Sequence, residues 1–155
     1  MQKQKKKILV DLDVTTLAFW DKKDKSNLIE RVKGGIFFMV TPYILSEHLS
    51  RWEHRKLAEE ITKFYEKHSS QIVTAQNILN KIEGIGIEYG KLLFELVGKG
   101  VKEEDAILVI VSSIFDVEYL VTFNRKHLKS KENAINQVLG KNGLKTIKVS
   151  EPSEL

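Results

Sequence analysis

Short apolar runs of strand length alternate with longer segments of helical periodicity along most of the chain. The first run ends at Asp11, and the second is set off by the pair Gly34-Gly35. Alternation of this kind is typical of a parallel sheet with helices on both faces. We therefore predict an α/β fold with three layers, α/β/α, and a central parallel sheet of four to five strands. The strands assigned from the pattern are Ile8–Val10, Ile36–Val40, Glu118–Thr122 and Lys145–Val149.

The segments between these runs have the spacing of helices. Thr41 and Pro42 form a helix start, with Thr41 as N-cap and Pro42 at the first helical position, and apolar residues then recur to about His68. Lys102–Phe115 has acids in its first turn and is apolar almost all round, which predicts a buried helix, although periodicity leaves a strand open there. The other predicted helices are Val14–Trp20, one or two helices within Ser70–Gly100, and Asn133–Leu139.

Composition excludes several classes of site. The chain has 155 residues, which predicts a single domain over 1–155, and it has no cysteine, so disulfide scaffolds and thiolate chemistry are excluded. The longest apolar run, Ala106–Val111, is too short to cross a bilayer, and the basic segment Met1–Lys7 is not followed by the apolar core of a signal peptide. We expect a cytoplasmic protein without a membrane partner. The net charge of +4 permits a polyanionic partner.

Polar and acidic side chains from several segments are predicted to meet at one edge of the sheet. In parallel sheets, ligands bind at the carboxyl ends of the strands, and the following helices begin at the same edge. Carboxylates gathered there repel one another unless a cation lies between them, and oxygen ligands without Cys or His favour Mg²⁺ or Mn²⁺. A hard divalent ion suits phosphoryl chemistry. The residues concerned are Asp11, Asp13, Glu47, Asp105, Thr122 and Asn124.

Each of these residues also has a purely structural interpretation. An Asp after a strand is a common turn or cap residue, acids in a first helical turn favour the helix dipole, and helical Glu is mostly solvated. Asp11 and Asp13, followed by Thr15, also match the DxDxT nucleophile motif of haloacid-dehalogenase-type phosphatases. That alternative lacks the later acidic pair, because no Asp follows Asp116.

The motifs around these residues resemble those of the PIN-domain family over nearly the whole chain. Asp11 lies in the first acidic position of the family's opening strand, and Asp13 stands where the family often has Asn or Ser. Thr41–Leu49 resembles the helix that carries the family's Glu, here Glu47. Glu104–Ile110 resembles the second Asp motif, and Tyr119–Leu128 is the most specific match.

The resemblance implies a metal-dependent ribonuclease with Mg²⁺ or Mn²⁺ bound by Asp11, Glu47 and Asp105. Asn124 matches the fourth position, where many members have Asp, so a second metal is in doubt. Thr122 would support the site by hydrogen bonding. Arg125 and Lys126, with Lys129, would contact an RNA backbone, or else form a solvated loop.

The resemblance also implies partners. Family members commonly form homodimers, and many are toxins of the VapC type with an antitoxin partner, although the long span Ser70–Gly100 favours a stand-alone member. Phe19 and Trp20 are candidates for an RNA or partner contact, whereas Trp52 has the spacing of a core or dimer-interface residue. A catalytically weak or inactive module that binds RNA or a protein is the main alternative function.

Overall fold

A computed structural model describes residues 5–20 and 27–155, so the first four residues of the basic segment Met1–Lys7 lie outside the described part. Within these ranges the sheet has five strands, all parallel, as the sequence pattern predicted. Their spatial order is β3-β2-β1-β4-β5. The bounds are β1 (Lys6–Val10), β2 (Phe37–Pro42), β3 (Gln71–Val73), β4 (Tyr119–Val121) and β5 (Lys148–Ser150).

Helices cover the sheet on both faces. Ile8, Leu9 and Val10 point alternately to the two faces of β1, and all three are 0% exposed. The helices are α1 (Leu12–Trp20), α2 (Leu28–Lys33), α3 (Tyr43–Ser50), α4 (Arg55–His68), α5 (Ala75–Ile85), α6 (Tyr89–Gly98), α7 (Glu103–Ile114) and α8 (Glu132–Lys141). Two short 3-10 helices span Lys129–Lys131 and Pro152–Glu154.

The strand order places a crevice at the carboxyl end of β1. The chain leaves β1 toward β2 on one side, and β4 lies on the other side, so the direction of winding reverses at β1. Val10 pairs with Val121, which brings the residues after the two strands, Asp11 and Thr122, next to each other. Open α/β sheets bind ligands at such a reversal.

Helix α7 is buried on all sides. Every residue from Ala106 to Ile114 is buried, which confirms the predicted helix over Lys102–Phe115 to within one residue at each end. Among the described helices, none is long and apolar enough to cross a membrane.

Two predictions in the first half of the chain are wrong. The helix expected from Thr41 to His68 is split at residues 51–54. The two protons of Arg55 Nη1 are shared among the carbonyls of Leu49, Ser50 and Trp52, which stabilises the break after α3. Thr41 does not cap a helix. It lies in β2, and its hydroxyl contacts that of Ser69 at 2.6 Å.

Short elements account for the other differences. The pattern did not predict β3 within Ser70–Gly100, because three residues are too few for a periodicity to appear. Helix α2 was also not predicted. The bounds of β4, β5 and α8 differ from the predicted Glu118–Thr122, Lys145–Val149 and Asn133–Leu139 by up to three residues.

Candidate active site at the carboxyl edge of the sheet

Asp11 is held at the junction of β1 and α1. Its backbone N–H donates to the carbonyl of Val121 at 2.9 Å, which fixes the residue beside β4. Its Oδ1 accepts a hydrogen bond from the backbone N–H of Leu12 at 2.8 Å, and its Oδ2 accepts from the Thr122 hydroxyl at 3.0 Å. The side chain therefore has a defined orientation at the crevice.

Thr122 is in contact with a second carboxylate. Its hydroxyl lies 3.1 Å from Oδ2 of Asp13, which also accepts from the backbone N–H of Phe123 at 3.1 Å. A hydroxyl has one proton, so it cannot donate to Asp11 and Asp13 at the same time. The other oxygen of Asp13, Oδ1, is buried and has no hydrogen-bond partner among the described residues. Sequence reasoning had placed Asp13 at this edge without a metal-binding role.

Asp105 reaches the same place from the first turn of α7. It lines a small cavity of about 130 Å³ together with Asp11. The remaining lining residues come from the starts of α1 and α7 and from α3, namely Leu12, Ile44, Leu45, His48, Glu104 and Leu108. The predicted meeting of carboxylates from distant segments is thus found for Asp11 and Asp105.

Asn124 presents its amide nitrogen to Asp105. Its Nδ2 donates a long hydrogen bond of 3.5 Å to Asp105 Oδ2, and its Oδ1 accepts from the backbone N–H of His127 at 3.0 Å. The second contact requires the carbonyl oxygen to face His127. Asn124 therefore caps the turn that follows it and orients Asp105, and its oxygen does not face the cavity.

The pKa values of the three carboxyl groups at this edge are raised above their ordinary value. Burial raises the pKa of Asp11, and the hydrogen bond from Thr122 opposes that rise. Burial, followed by the charge of Asp11, raises the pKa of Asp13 to about 7. The same two causes, burial first, raise the pKa of Asp105 to about 6. Each pKa rise reflects a charged form that the apo site stabilises poorly.

Glu47 does not line the cavity. Its side chain is exposed on α3, whereas the next residue, His48, lies in the cavity wall with Ile44 and Leu45. His48 Nε2 lies 2.8 Å from Oε2 of Glu104, so these two residues of the cavity wall are in contact with each other. The sequence placed Glu104 beside Asp105 without a role, and it gave no role to His48. The available signal was helical spacing, since His48 is four residues after Ile44.

The basic residues that follow β4 are less available than predicted. The guanidinium of Arg125 pairs through two nitrogens with the carboxylate of Glu151, and the Nη2–Oε2 distance is 2.8 Å. Lys129 Nζ donates to the carbonyl of Val149 at 2.7 Å and lies 3.2 Å from Glu154 Oε2. Lys126 is exposed and makes no ion pair within the described ranges.

The carboxylate oxygens of Asp11 and Asp105 are suitable ligands for a hard cation that takes its other ligands from water or substrate. In the described part of the chain, no group of three or more His, Cys, Asp or Glu side chains is arranged to hold a metal ion. Two carboxylates, Asp11 and Asp105, do share the cavity. Mg²⁺ is commonly bound by one or two carboxylates with water and substrate phosphate as the remaining ligands, so this set is sufficient for such an ion.

Comparison with known proteins shows the fold. No family model matches the sequence, and no curated protein is significantly similar to it. The structure is similar to a chain of VapBC2 from Rickettsia felis, solved bound to a DNA fragment from their promoter, with a TM-score of 0.60. The similarity covers 94% of this chain and 98% of that chain at 15% sequence identity. This is the α/β fold with a parallel central sheet that the sequence predicted, and it is consistent with a PIN-like fold.

Proposed function

We propose that this chain is a metal-dependent endoribonuclease that hydrolyses phosphodiester bonds of single-stranded RNA with Mg²⁺ or Mn²⁺. The observation that supports it most is the shared cavity of Asp11 and Asp105, two carboxylates from distant parts of the sequence. Their raised pKa values are the expected sign of a site that is completed by a cation. The PIN-like fold adds support, because the neighbouring VapBC2 structure covers nearly the whole chain.

In this proposal Asp11 and Asp105 hold the ion. Thr122 orients Asp11, and Asn124 orients Asp105, so neither is itself a ligand. The bound cation would lower the pKa of water and neutralise charge at the scissile phosphate. Glu47 remains a third candidate ligand, but its exposed side chain must change rotamer to reach the cavity. Glu104, which lies in the cavity wall, adds negative charge without such a change.

Substrate and partners follow from the same proposal. Lys126 is available to an RNA backbone, whereas Arg125 must first leave Glu151. We place the whole chain, residues 1–155, in one cytoplasmic domain that acts as a homodimer. The structural neighbour is a VapBC2 complex, which supports an antitoxin-like protein as a further partner.

Cleavage of a mixed-sequence single-stranded RNA tests the proposal. We expect cleavage with Mn²⁺ or Mg²⁺ that EDTA abolishes, and loss of cleavage in Asp11→Asn and Asp105→Asn. Asp116→Asn is a matched control, because Asp116 is exposed near the opposite end of β4. Equal cleavage by Asp105→Asn, Asp116→Asn and the parent chain would show that the site is assigned to the wrong residues.

A binding module without catalysis is the second candidate. It is favoured by the exposure of Glu47 and by the orientation of Asn124, whose oxygen is used by His127. Mn²⁺ titration calorimetry separates the two functions, since a pure binding module should take up no metal in the micromolar to millimolar range. The phosphatase alternative, through Asp11 and Asp13, requires turnover of p-nitrophenyl phosphate.

A further inference from the structure

A second groove, separate from the carboxylate cavity, lies between the end of α1 and the start of α4. Its volume is about 430 Å³. We call it the Trp20 groove, and its lining residues are Phe19, Trp20, His54, Arg55, Lys56, Leu57 and Glu60. Trp20 is 54% exposed, although burial is strongly favourable for so large an apolar side chain. An exposed tryptophan in a concave site is a common feature of binding surfaces.

The Trp20 ring is in contact with His54, and the end of α1 that carries it is anchored to α4. His54 meets it in an edge arrangement, with ring centroids 4.9 Å apart and planes at 84°. The preceding residue, Phe19, packs on Phe64 with centroids 5.5 Å apart, which anchors the end of α1 to α4. A ring held in this way loses little conformational freedom when a flat ligand stacks on it.

The charges beside the ring favour an anionic ligand. Arg55 and Lys56 line the groove, against one acidic residue, Glu60. The guanidinium of Arg55 is fixed at the end of α3, where the two protons of Nη1 are shared among the carbonyls of Leu49, Ser50 and Trp52. These acceptors are neutral, and within residues 5–20 and 27–155 Arg55 makes no ion pair. A flat aromatic surface next to fixed positive charge is the combination that binds single-stranded nucleic acid.

The groove is connected to the carboxylate cavity through two elements. Helix α1 begins beside Asp11 and ends at Trp20, and the eight steps from Leu12 to Trp20 rise about 12 Å. Helix α3 carries His48 in the cavity wall and leads through residues 51–54 into the groove. A strand bound at the cavity therefore needs to extend only a short distance to reach Trp20.

We infer that the Trp20 groove binds a base of the RNA strand that flanks the scissile phosphate, with the base stacked on Trp20 and the backbone beside Arg55 and Lys56. The inference rests on the proposed nuclease function, because it takes single-stranded RNA as the ligand. A docked protein helix is less suited to the groove. Such a helix needs a continuous apolar stripe, whereas most of the lining residues here are polar or charged.

Fluorescence of Trp20 tests the inference directly. The full chain carries two tryptophans, so a Trp52→Phe background leaves Trp20 as the reporter. EDTA is present so that binding is measured without cleavage. We expect single-stranded oligo(A) to quench Trp20 emission saturably. In the same buffer, Trp20→Ala should weaken oligo(A) binding about tenfold, and Trp20→Tyr should retain most of the affinity.

Phe94→Ala is the matched control for loss of an exposed aromatic ring. Phe94 is 77% exposed on α6, and it lines neither the groove nor the cavity. We expect it to bind oligo(A) like the parent chain. Equal affinity of Trp20→Ala and Phe94→Ala, or unchanged Trp20 emission when oligo(A) is bound, would overturn the inference. Quenching by a protein partner but not by oligo(A) would also overturn it.

A parallel cleavage assay with Mn²⁺ separates this inference from the proposed function. Quenching by oligo(A) in a chain that cuts no RNA would leave the base-binding groove standing and remove the nuclease. Cleavage of RNA without quenching of Trp20 would support the nuclease and remove the base-binding groove. When both hold, Trp20→Ala should raise the KM for RNA several-fold and leave kcat near that of the parent chain.

Discussion

His48 and Glu104 lie 2.8 Å apart, Nε2 to Oε2, and join α3 to α7 across the carboxylate cavity. Glu104 lies in the cavity wall, although its side chain is 57% exposed. Glu47, the acidic residue expected there, is exposed and does not line the cavity. The additional negative charge at this wall thus comes from α7 and is in contact with a histidine on α3. We therefore expect Mn²⁺ affinity to depend on Glu104 and not on Glu47.

Glu104→Gln should weaken Mn²⁺ binding about tenfold, as is usual when a group that supports a metal site loses its charge. Glu47→Gln is the variant for comparison, because it removes the same charge from the other candidate residue, whose exposed side chain does not line the cavity. We expect its Mn²⁺ affinity to stay close to that of the parent chain in titration calorimetry. The reverse order of effects would show that Glu47 turns inward and binds the metal.

The metal-free protein should become more stable as the pH falls from about 8 toward 5. The pKa of Asp13 is about 7 in the folded chain and near 3.8 when unfolded, so the folded state binds more protons in this range. Asp105, with a folded pKa of about 6, acts in the same direction. The stabilisation by these two carboxyls is complete below their unfolded pKa of 3.8. It is lost as the pH rises through their folded pKa values of about 6 for Asp105 and about 7 for Asp13.

Urea denaturation in EDTA at several pH values measures this dependence. Asp13→Asn should make the profile shallower between pH 5 and 8, because it removes a carboxyl whose pKa is raised to about 7 in the folded chain. The pKa values of Glu151 and Glu154 are lowered by their own hydrogen bonds, so these groups titrate below the window. A parent chain whose stability increases from pH 5 to 8 in EDTA would contradict the prediction.

Tyr65→Phe should destabilise the fold by about 1–3 kcal/mol. The Tyr65 hydroxyl is buried, donates to the carbonyl of Val10 at 2.7 Å and lies 3.1 Å from the Thr15 hydroxyl. Its loss leaves a buried carbonyl directly before Asp11 without that donor. Tyr119→Phe is the control, because no hydrogen bond of the Tyr119 hydroxyl occurs within residues 5–20 and 27–155, and its unfolding midpoint in urea should not change.

Glu151→Gln should strengthen RNA binding by releasing Arg125 for a phosphate contact. One additional contact steepens the dependence of log affinity on log salt by about 0.7 for a single strand. The measurement is oligo(A) binding in EDTA at a series of salt concentrations. Glu118→Gln removes the same charge at the far end of β4 and should leave the salt dependence unchanged. An unchanged slope in Glu151→Gln would mean that Arg125 does not reach the RNA.

The sequence predicted what depends on local patterning. The ends of strands and the starts of helices depend on a few neighbouring residues. The sequence therefore predicts that Asp11, Asp105 and Thr122 lie at one edge of the sheet. The choice between Glu47 and His48 was not, because neighbouring helical residues differ by about 100° and only the packing of α3 decides between them. The pairing of Arg125 with Glu151 joins residues 26 apart and leaves no periodic signal.

The two helices that line the cavity differ in burial, so we expect α7 to be the more rigid wall and α3 the more mobile one. Asp105 is attached to a helix whose next nine residues are enclosed, and the amide protons of such a helix exchange only on global unfolding. Helix α3, on the other wall, has exposed positions at Ser46, Glu47 and Ser50, and should exchange through local opening. Any adjustment to an arriving ion or phosphate therefore comes from α3, while Asp105 provides the fixed reference point against which the ligand is aligned.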